Sequence, residues 1–555
     1  MGNAMVFGSP GCGKTQFCSD LSNRLINVEK RCSKEEVAYV AFGKKAAMEA
    51  ADRCGIKAED RRELWYRTLH SACYKLLGMS HGSVVSAAKL REFSKKIGVQ
   101  VDSELAVEGD EFADLAEVLL AVQRNRSVEN GDQQPSKVIG LYQLSRLLCR
   151  TASQLEACRK EPHPKALAMA AGMLDLSQYR ALITHYELWK KADGLADFTD
   201  MLERVVVGDV ALPAWKYAFG DEAQDLAPLQ WAVMGKLFEG RVNDLFLAGD
   251  DDQAIMGFQG ASATDFLAYR GRGRKIHLQQ THRFGAEVVH LAREIALRLS
   301  EREDKDVIPA DVESVVGTLY EFNPKLHPGR KFLLHRHIAG CRAIAQSLIS
   351  RGVPFWNERG LNPLARKTEI RGFEAFSKLA RGEQLTAFDV TSLLDVTPAI
   401  RRMEGSSVRM VKHGSKKKLS EEAPRTPYTL LDLEGKHITK EFAKAIRERR
   451  YDVSHIEFPE YYRQLEESGW DLSGDDQPDA IITTIHGSKG RERDLVFLWD
   501  EVTHKCMRDE NEHRVAYVGA TRPKKALFIV REKVITNWST TQYPYPVTDS
   551  VIDEV

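Results

Sequence analysis

The chain has 555 residues, 43% of them apolar and 28% charged, with 79 basic side chains against 79 acidic ones and a formal net charge of zero. Such a length exceeds what one core supports, so several domains are expected; the composition excludes wholesale disorder, and the charge balance provides no global basic field to attract a polyanion. No apolar run reaches membrane-spanning length, the N-terminus opens on a core strand without a leader pattern, and the nine cysteines, with no CxxC pair, argue against a zinc or iron–sulfur site. The cytoplasm is the expected location, with no membrane partner.

Taken in chain order, apolar Ala4-Met5-Val6-Phe7 reads as a buried strand, while Phe17, Leu21 and Leu25 recur at helical spacing. Between them, Gly8-Ser9-Pro10-Gly11-Cys12-Gly13-Lys14-Thr15 fits the glycine loop that cradles phosphates. Gly8, Gly11 and Gly13 let backbone N–H groups converge on phosphate oxygens, with Cys12 as an incidental small residue, and the helix N-terminus adds partial positive charge. Lys14 would reach the outer phosphates and Thr15 would place its hydroxyl on the bridging magnesium ion. Residues 36–42 read as a second buried strand and 44–53 as a helix behind it. Leu64-Trp65-Tyr66-Arg67 then leads into Thr68-Leu69-His70-Ser71 and a further helix, the pattern of a mostly parallel sheet covered by helices.

From 78 to 189 the periodic segments read as helical, for example at 112–122 and 166–174, with a polar break over 129–135. Strand patterns resume at Tyr217-Ala218-Phe219-Gly220 and Leu245-Phe246-Leu247-Ala248, each ending in an acidic cluster, where open α/β sheets bind ligands. A second α/β pattern follows: a helix over 286–300, strand Lys331-Phe332-Leu333-Leu334, a helix to Arg351, and strands at 480–483, 495–498 and 526–529. A charge-rich stretch interrupts it, and its run from Lys412 to Lys418 reads as a solvated loop or, less simply, a duplex-binding element. The tail after Trp538 carries no strong pattern. The expected fold class is therefore α/β, with a first domain from 1–77 and 190–283, a helical insertion at 78–189, a second domain from 284–366 and 476–555, and a mixed insertion at 367–475.

Asp221-Glu222-Ala223-Gln224-Asp225 follows an apolar strand and supplies two acids with different duties. Asp221 would hold the magnesium ion; Glu222 would orient and deprotonate an attacking water. Alone, such a cluster also reads as a solvated turn; paired with the glycine loop it points to phosphoryl transfer. In Ala248-Gly249-Asp250-Asp251-Asp252-Gln253-Ala254-Ile255, the Gln253 amide can donate and accept hydrogen bonds, which suits sensing of a terminal phosphate.

These stretches occur in one order with Phe42-Gly43-Lys44-Lys45-Ala46-Ala47, Ala196-Asp197-Phe198, residues 249–261, Gln279-Gln280-Thr281-His282-Arg283, residues 484–492 and residues 515–522. The succession resembles the superfamily 1 DNA helicases of the UvrD/Rep/PcrA type over nearly the whole chain, the two insertions excepted. The resemblance implies two RecA-like domains with ATP in the cleft between them, the glycine loop on one side and arginines at the positions of Arg283 and Arg522 on the other. A guanidinium delivered across a closing cleft neutralises transition-state charge, which ties hydrolysis to domain motion. Glu492 matches the ribose-contacting position and reads equally as an ion-pair member. For the single strand, the resemblance points to Phe42, Lys45, Thr68, His70, Phe258 and His486, with Phe258 as a sequence-independent stacking platform.

The chain also departs from the family pattern. With the first strand at the start of the sequence, the adenine-reading glutamine motif is expected to be missing; His282 replaces a stacking tyrosine; Met256, Phe258 and Gln259 stand where tyrosine, tryptophan and arginine are usual; and Arg491 and Arg493 flank Glu492 in place of apolar residues. The expectation is a diverged ATP-dependent DNA helicase that moves 3′ to 5′ on single-stranded DNA, uses ATP and magnesium, and meets duplex junctions. The alternatives are a DNA-stimulated translocase without autonomous unwinding, or an ATP-switched subunit serving a nuclease or a replication, repair or defence partner.

Overall fold

The computed structural model describes residues 3–98, 134–169, 176–403, 406–421, 427–472, 474, 476–504, 506–535 and 539–543. The helix expected over 112–122, most of the polar break at 129–135, the end of the helix expected over 166–174 and the chain beyond 543 lie outside these residues. The chain forms two compact units: Met1–Ser314 with Glu510–Thr521, and Val315–Asp509 with Arg522–Val555. The first unit thus runs past the boundary expected at 283 and takes back one late helix, Asn511–Ala520.

The first unit is built on strands β1 (Ala4–Gly8), β2 (Val37–Ala41), β3 (Trp65–Thr68), β4 (Tyr217–Asp221), β5 (Asp244–Gly249) and β6 (Arg274–Leu278), in the order β3-β2-β4-β5-β1-β6. Every neighbouring pair in it is parallel. Alternate side chains serve opposite faces: Val6, Tyr39 and Phe219 join one core, while Met5, Phe7 and Val40 join the other. Each large apolar side chain withdrawn this way contributes roughly 1.5–3 kcal/mol. Burial on both faces is why β1, β2, β4 and β5 are apolar runs in the sequence. The edge strand β6, Arg274-Lys275-Ile276-His277-Leu278, is largely exposed, so its composition carries no such signal.

The helical insertion extends the first core. Leu90, Phe93, Tyr142, Leu147, Tyr179 and Tyr186 belong to the same cluster as Phe7 and Leu247. A buried ion network fastens it. Arg146 reaches Asp197 at 2.7 Å and Asp200 at 2.6 Å, and Lys190 reaches the same two carboxylates at 2.9 and 2.6 Å. Asp197 also caps the helix Phe198–Val207 through the Asp200 N–H. Burial raises the Asp197 pKa, but Arg146 and Lys190 outweigh it and hold the carboxyl well below its usual range.

In the second unit β7 (Val315–Leu319), β8 (Lys331–His335) and β9 (Phe355–Asn357) precede a hairpin of β10 (Ile400–Met403) and β11 (Ser406–Arg409). They are followed by β12 (Ala480–Thr484), β13 (Arg493–Trp499), β14 (Glu501–Thr503), β15 (Pro523–Val530) and β16 (Thr540–Gln542). A second parallel sheet has the order β7-β15-β13-β8-β12-β9. Between β9 and β12 the mixed insertion forms its own core around Phe376, Leu393, Leu433, Phe442 and Ile446, separate from that of the sheet. Two parallel six-stranded sheets flanked by helices, each interrupted by an insertion, agree with the expected fold class. Among the described residues no helix is long and apolar enough to cross a membrane.

Candidate functional site

Six strand ends meet one edge of the first sheet, and each carries a segment singled out in the sequence. After β1 the chain turns through Gly11 and Gly13 at φ 78° and 75°, left-handed conformations that favour glycine. Gly11 is required a second time, because a Cβ there would lie 2.6 Å from Arg283 Cβ and 2.7 Å from Thr281 Oγ1. The segment after β6 buttresses the loop: Thr281 Oγ1 donates to Pro10 O at 2.8 Å and the His282 N–H donates to Gly11 O at 3.0 Å. The Lys14 ammonium turns back to donate to Gly8 O at 2.8 Å and Ser9 O at 3.4 Å, beside the N-terminus of the helix Lys14–Asn23.

β4 delivers Asp221 to this loop. Thr15 Oγ1 donates to Asp221 Oδ2 at 2.7 Å, Tyr39 from β2 donates its phenol to the same oxygen at 3.2 Å, and the Glu222 N–H donates to Oδ1 at 3.0 Å. Tyr39 is fixed by stacking between Tyr66, at 5.7 Å, and Phe219, at 5.9 Å. Burial and then the Glu222 charge push the Asp221 carboxyl up to about 6, against the Thr15 hydrogen bond and Lys14. A hydroxyl and a carboxylate 2.7 Å apart form a hard-oxygen donor pair that fits magnesium, an ion that keeps several waters and shares the rest of its shell with phosphate.

Glu222 adopts φ 54°, a left-handed conformation in a residue with a side chain, at a cost of order 1–3 kcal/mol. Its carboxylate accepts from Gln224 Nε2 at 2.6 Å, and Gln224 Oε1 accepts the Asp250 N–H from the end of β5 at 3.0 Å. Gln253 Nε2 in turn donates to Asp250 Oδ2 at 2.7 Å. Tyr39 and Gln224 are site residues that the sequence reading did not single out; both act on the expected acids through contacts that no local spacing encodes.

Profile comparison matches residues 1–272 to the UvrD/REP helicase N-terminal domain and residues 479–530 to the UvrD-like helicase C-terminal domain, together more than half the chain. The chain belongs to the UvrD-like helicase family. The ATP-dependent DNA helicase PcrA of Staphylococcus aureus is 23% identical to this UvrD-like chain over 325 residues, which cover 58% of it and 41% of that relative. The PcrA of Staphylococcus epidermidis is 20% identical over 617 residues, covering 95% of this chain and 81% of the relative. The match to the S. aureus relatives thus spans about two fifths of their length.

The expected arginines of this UvrD-like chain divide between the units. Arg283 lies in the unit that holds the glycine loop, where its Nη1 donates to Thr521 O at 3.2 Å; Arg522 lies in the other, with Nη1 donating to Arg491 O at 3.3 Å. Glu492 pairs with Lys524 at 2.8 Å, and Arg491 forks onto Glu358 at 2.5 and 2.7 Å.

Of the residues expected on the strand track, Phe42 follows β2 and is half-buried, and Lys45 sits on the helix Lys44–Arg53 with its side chain outside the described residues. Thr68 caps the helix Leu69–Leu76 by accepting the Ser71 N–H at 3.3 Å. His70 packs edge-on against Phe198, and burial lowers its pKa to about 4, so the imidazole is neutral at physiological pH. Phe258 is half-buried on the turn Met256–Gln259 beside exposed Gly257. His486, on the turn His486–Ser488, belongs to the second unit.

Proposed function

We propose that this protein hydrolyses ATP and uses the cycle to translocate on single-stranded DNA, 3′ to 5′, and to separate duplex strands. The observation that carries the reading is the 2.7 Å contact between Thr15 of the glycine loop and Asp221, with the Glu222 carboxylate braced by Gln224 beside it. In this reading the loop N–H groups and Lys14 bind the phosphates, with Lys14 exchanging the carbonyls of Gly8 and Ser9 for phosphate oxygens. Thr15 and Asp221 hold the magnesium ion, which when bound neutralises phosphate charge. Glu222 accepts the proton of the attacking water, and Gln253 meets the terminal phosphate. Arg283 and Arg522 stabilise the charge that develops on the transferred group. Because they belong to different units, ATP can favour one relation between the units and its products another.

For the single strand, Phe42, Phe258 and His486 are assigned as stacking or packing contacts, Lys45 as a phosphate contact, and Thr68 and His70 as polar contacts. A neutral His70 suits a hydrogen bond better than charge pairing. The assay is strand separation with 3′-tailed, 5′-tailed, forked and blunt duplexes at stated salt, alongside DNA-stimulated ATP hydrolysis. Unwinding of 3′-tailed and forked substrates supports the reading. DNA-stimulated hydrolysis without unwinding would replace it with a translocase, and nucleotide binding without DNA stimulation would replace it with an ATP-switched subunit.

A further inference from the structure

Asp250, Asp251 and Asp252 are consecutive and buried, at 0%, 0% and 1% exposure. Three carboxylates are tolerated in such a place only with compensating charge. That charge comes from a segment distant in sequence. Lys305 Nζ lies 3.0 Å from Asp250 Oδ1, 2.5 Å from Asp251 Oδ1 and 2.9 Å from Asp252 Oδ2. Arg302 forks onto both oxygens of Asp252, each at 3.1 Å, and the Glu303 N–H donates to Asp251 Oδ2 at 2.8 Å. From the helix Asn511–Ala520, Arg514 donates to Asp251 O at 2.9 Å and to Glu301 O at 2.7 Å.

Asp250 is the branch point of this cluster. One carboxylate oxygen faces Lys305 and the other accepts the Gln253 amide, which fixes the plane and direction of that amide. Its N–H holds Gln224 Oε1, and the same Gln224 amide donates to Glu222. Burial alone would raise the Asp250 pKa, but Lys305 and then Lys14 reverse this, so Asp250 remains a charged acceptor. Arg302 bonds the same cluster through both carboxylate oxygens of Asp252, one residue away from Gln253 and two from Asp250, and also reaches Asp304.

We propose that Lys305 is a positioning residue of the nucleotide site: by holding Asp250 it sets the amide of Gln253 and, through Gln224, the carboxylate of Glu222. The inference rests on the ATP-hydrolysis reading above. The test uses the full chain carrying Lys305→Met, Lys305→Arg, Arg302→Met, Gln253→Ala, or Lys305→Met together with Gln253→Ala. Each is measured for kcat and KM of DNA-stimulated ATP hydrolysis, thermal melting, and affinity for a fluorescent ADP analogue.

Lys305→Met is expected to lower kcat about 10–100-fold, with KM and ADP affinity within about threefold of wild type. Arg302→Met should stay within about threefold in kcat although it removes an ion pair from the same cluster. Lys305→Met added to Gln253→Ala should cost less than about threefold more, because the two changes act through one group. Lys305→Arg keeps the charge and the melting temperature but not the geometry, and is expected to lose about tenfold in kcat; it carries the test if Lys305→Met fails to fold. Wild-type kcat in a folded Lys305 variant, an equal loss in Arg302→Met, or losses that multiply in the double variant would each overturn the proposal. Absence of hydrolysis by the wild-type protein would instead overturn the reading on which it rests.

Discussion

The two sheets have the same number of strands, all parallel, yet their C-terminal edges are furnished differently. At the first, Asp221 is buried but receives hydrogen bonds from Thr15, Tyr39 and the Glu222 backbone, with Lys14 nearby. At the second, Asp500 follows β13 and is also buried, but neither of its carboxylate oxygens accepts a hydrogen bond among the described residues, and Arg531 stands 3.5 Å away. Burial, with Glu501 adding to it and Arg531 opposing, pushes Asp500 up to about 7. Its neighbour Glu501 is occupied with the chain itself, accepting the Val534 and Ile535 N–H groups and the Thr540 hydroxyl. Burial raises both carboxyls; at the first edge the Thr15 hydroxyl, Lys14 and the Glu222 N–H oppose the rise, whereas at the second Arg531 does. At the first edge the acid faces the glycine loop through Thr15, and at the second Glu501 ties the following chain segment to the sheet.

Replacing Lys14 by Ala should break the contrast most severely, lowering ATP hydrolysis by about a thousandfold or more in a steady-state assay while the fold, followed by circular dichroism, is retained. Glu222→Gln comes next, with an expected loss of about 10²–10⁴-fold in kcat and preserved nucleotide affinity, since only the proton acceptor is removed. Tyr39→Phe deletes one donor to Asp221 and keeps the ring between Tyr66 and Phe219; the magnesium concentration for half-maximal activity, and manganese affinity followed by electron paramagnetic resonance, should weaken about tenfold.

Asp500→Asn should leave hydrolysis unchanged and sharpen the comparison through stability. A folded-state pKa raised above the unfolded value stabilises only below the unfolded value, and that contribution is lost as pH rises through about 7. The variant should therefore be more stable to unfolding than wild type at pH 8, by about 1–3 kcal/mol, and no more stable at pH 4, as followed by denaturant titration.

Much of this was legible from the sequence because parallel strands buried on both faces are apolar runs, and the glycine, acidic and amide motifs sit at their ends. That logic located β1, β2, β4, β5, β8, β12, β13 and β15, and it gave the fold class. It passed over β6, β7 and β9, which lie at the sheet edges and are short or partly exposed. At the site, contiguous motifs were visible, while the groups that orient them were not. Tyr39 is one apolar-strand residue among several, and its phenol meets Asp221 only because β2 and β4 are neighbours. Lys305 lies in Glu301-Arg302-Glu303-Asp304-Lys305-Asp306, a run indistinguishable in composition from a solvated loop, and only the tertiary fold carries it to three buried aspartates.

The proposed function turns on ATP hydrolysis at the edge of the first sheet being coupled to DNA. Steady-state hydrolysis of magnesium-ATP by the purified protein, with and without single-stranded DNA and with Glu222→Gln as the inactive reference, tests it most directly. Wild-type hydrolysis is expected to be stimulated about tenfold or more by DNA and to be lost almost completely in the variant. Hydrolysis that ignores DNA, or equal rates for wild type and Glu222→Gln, would contradict it.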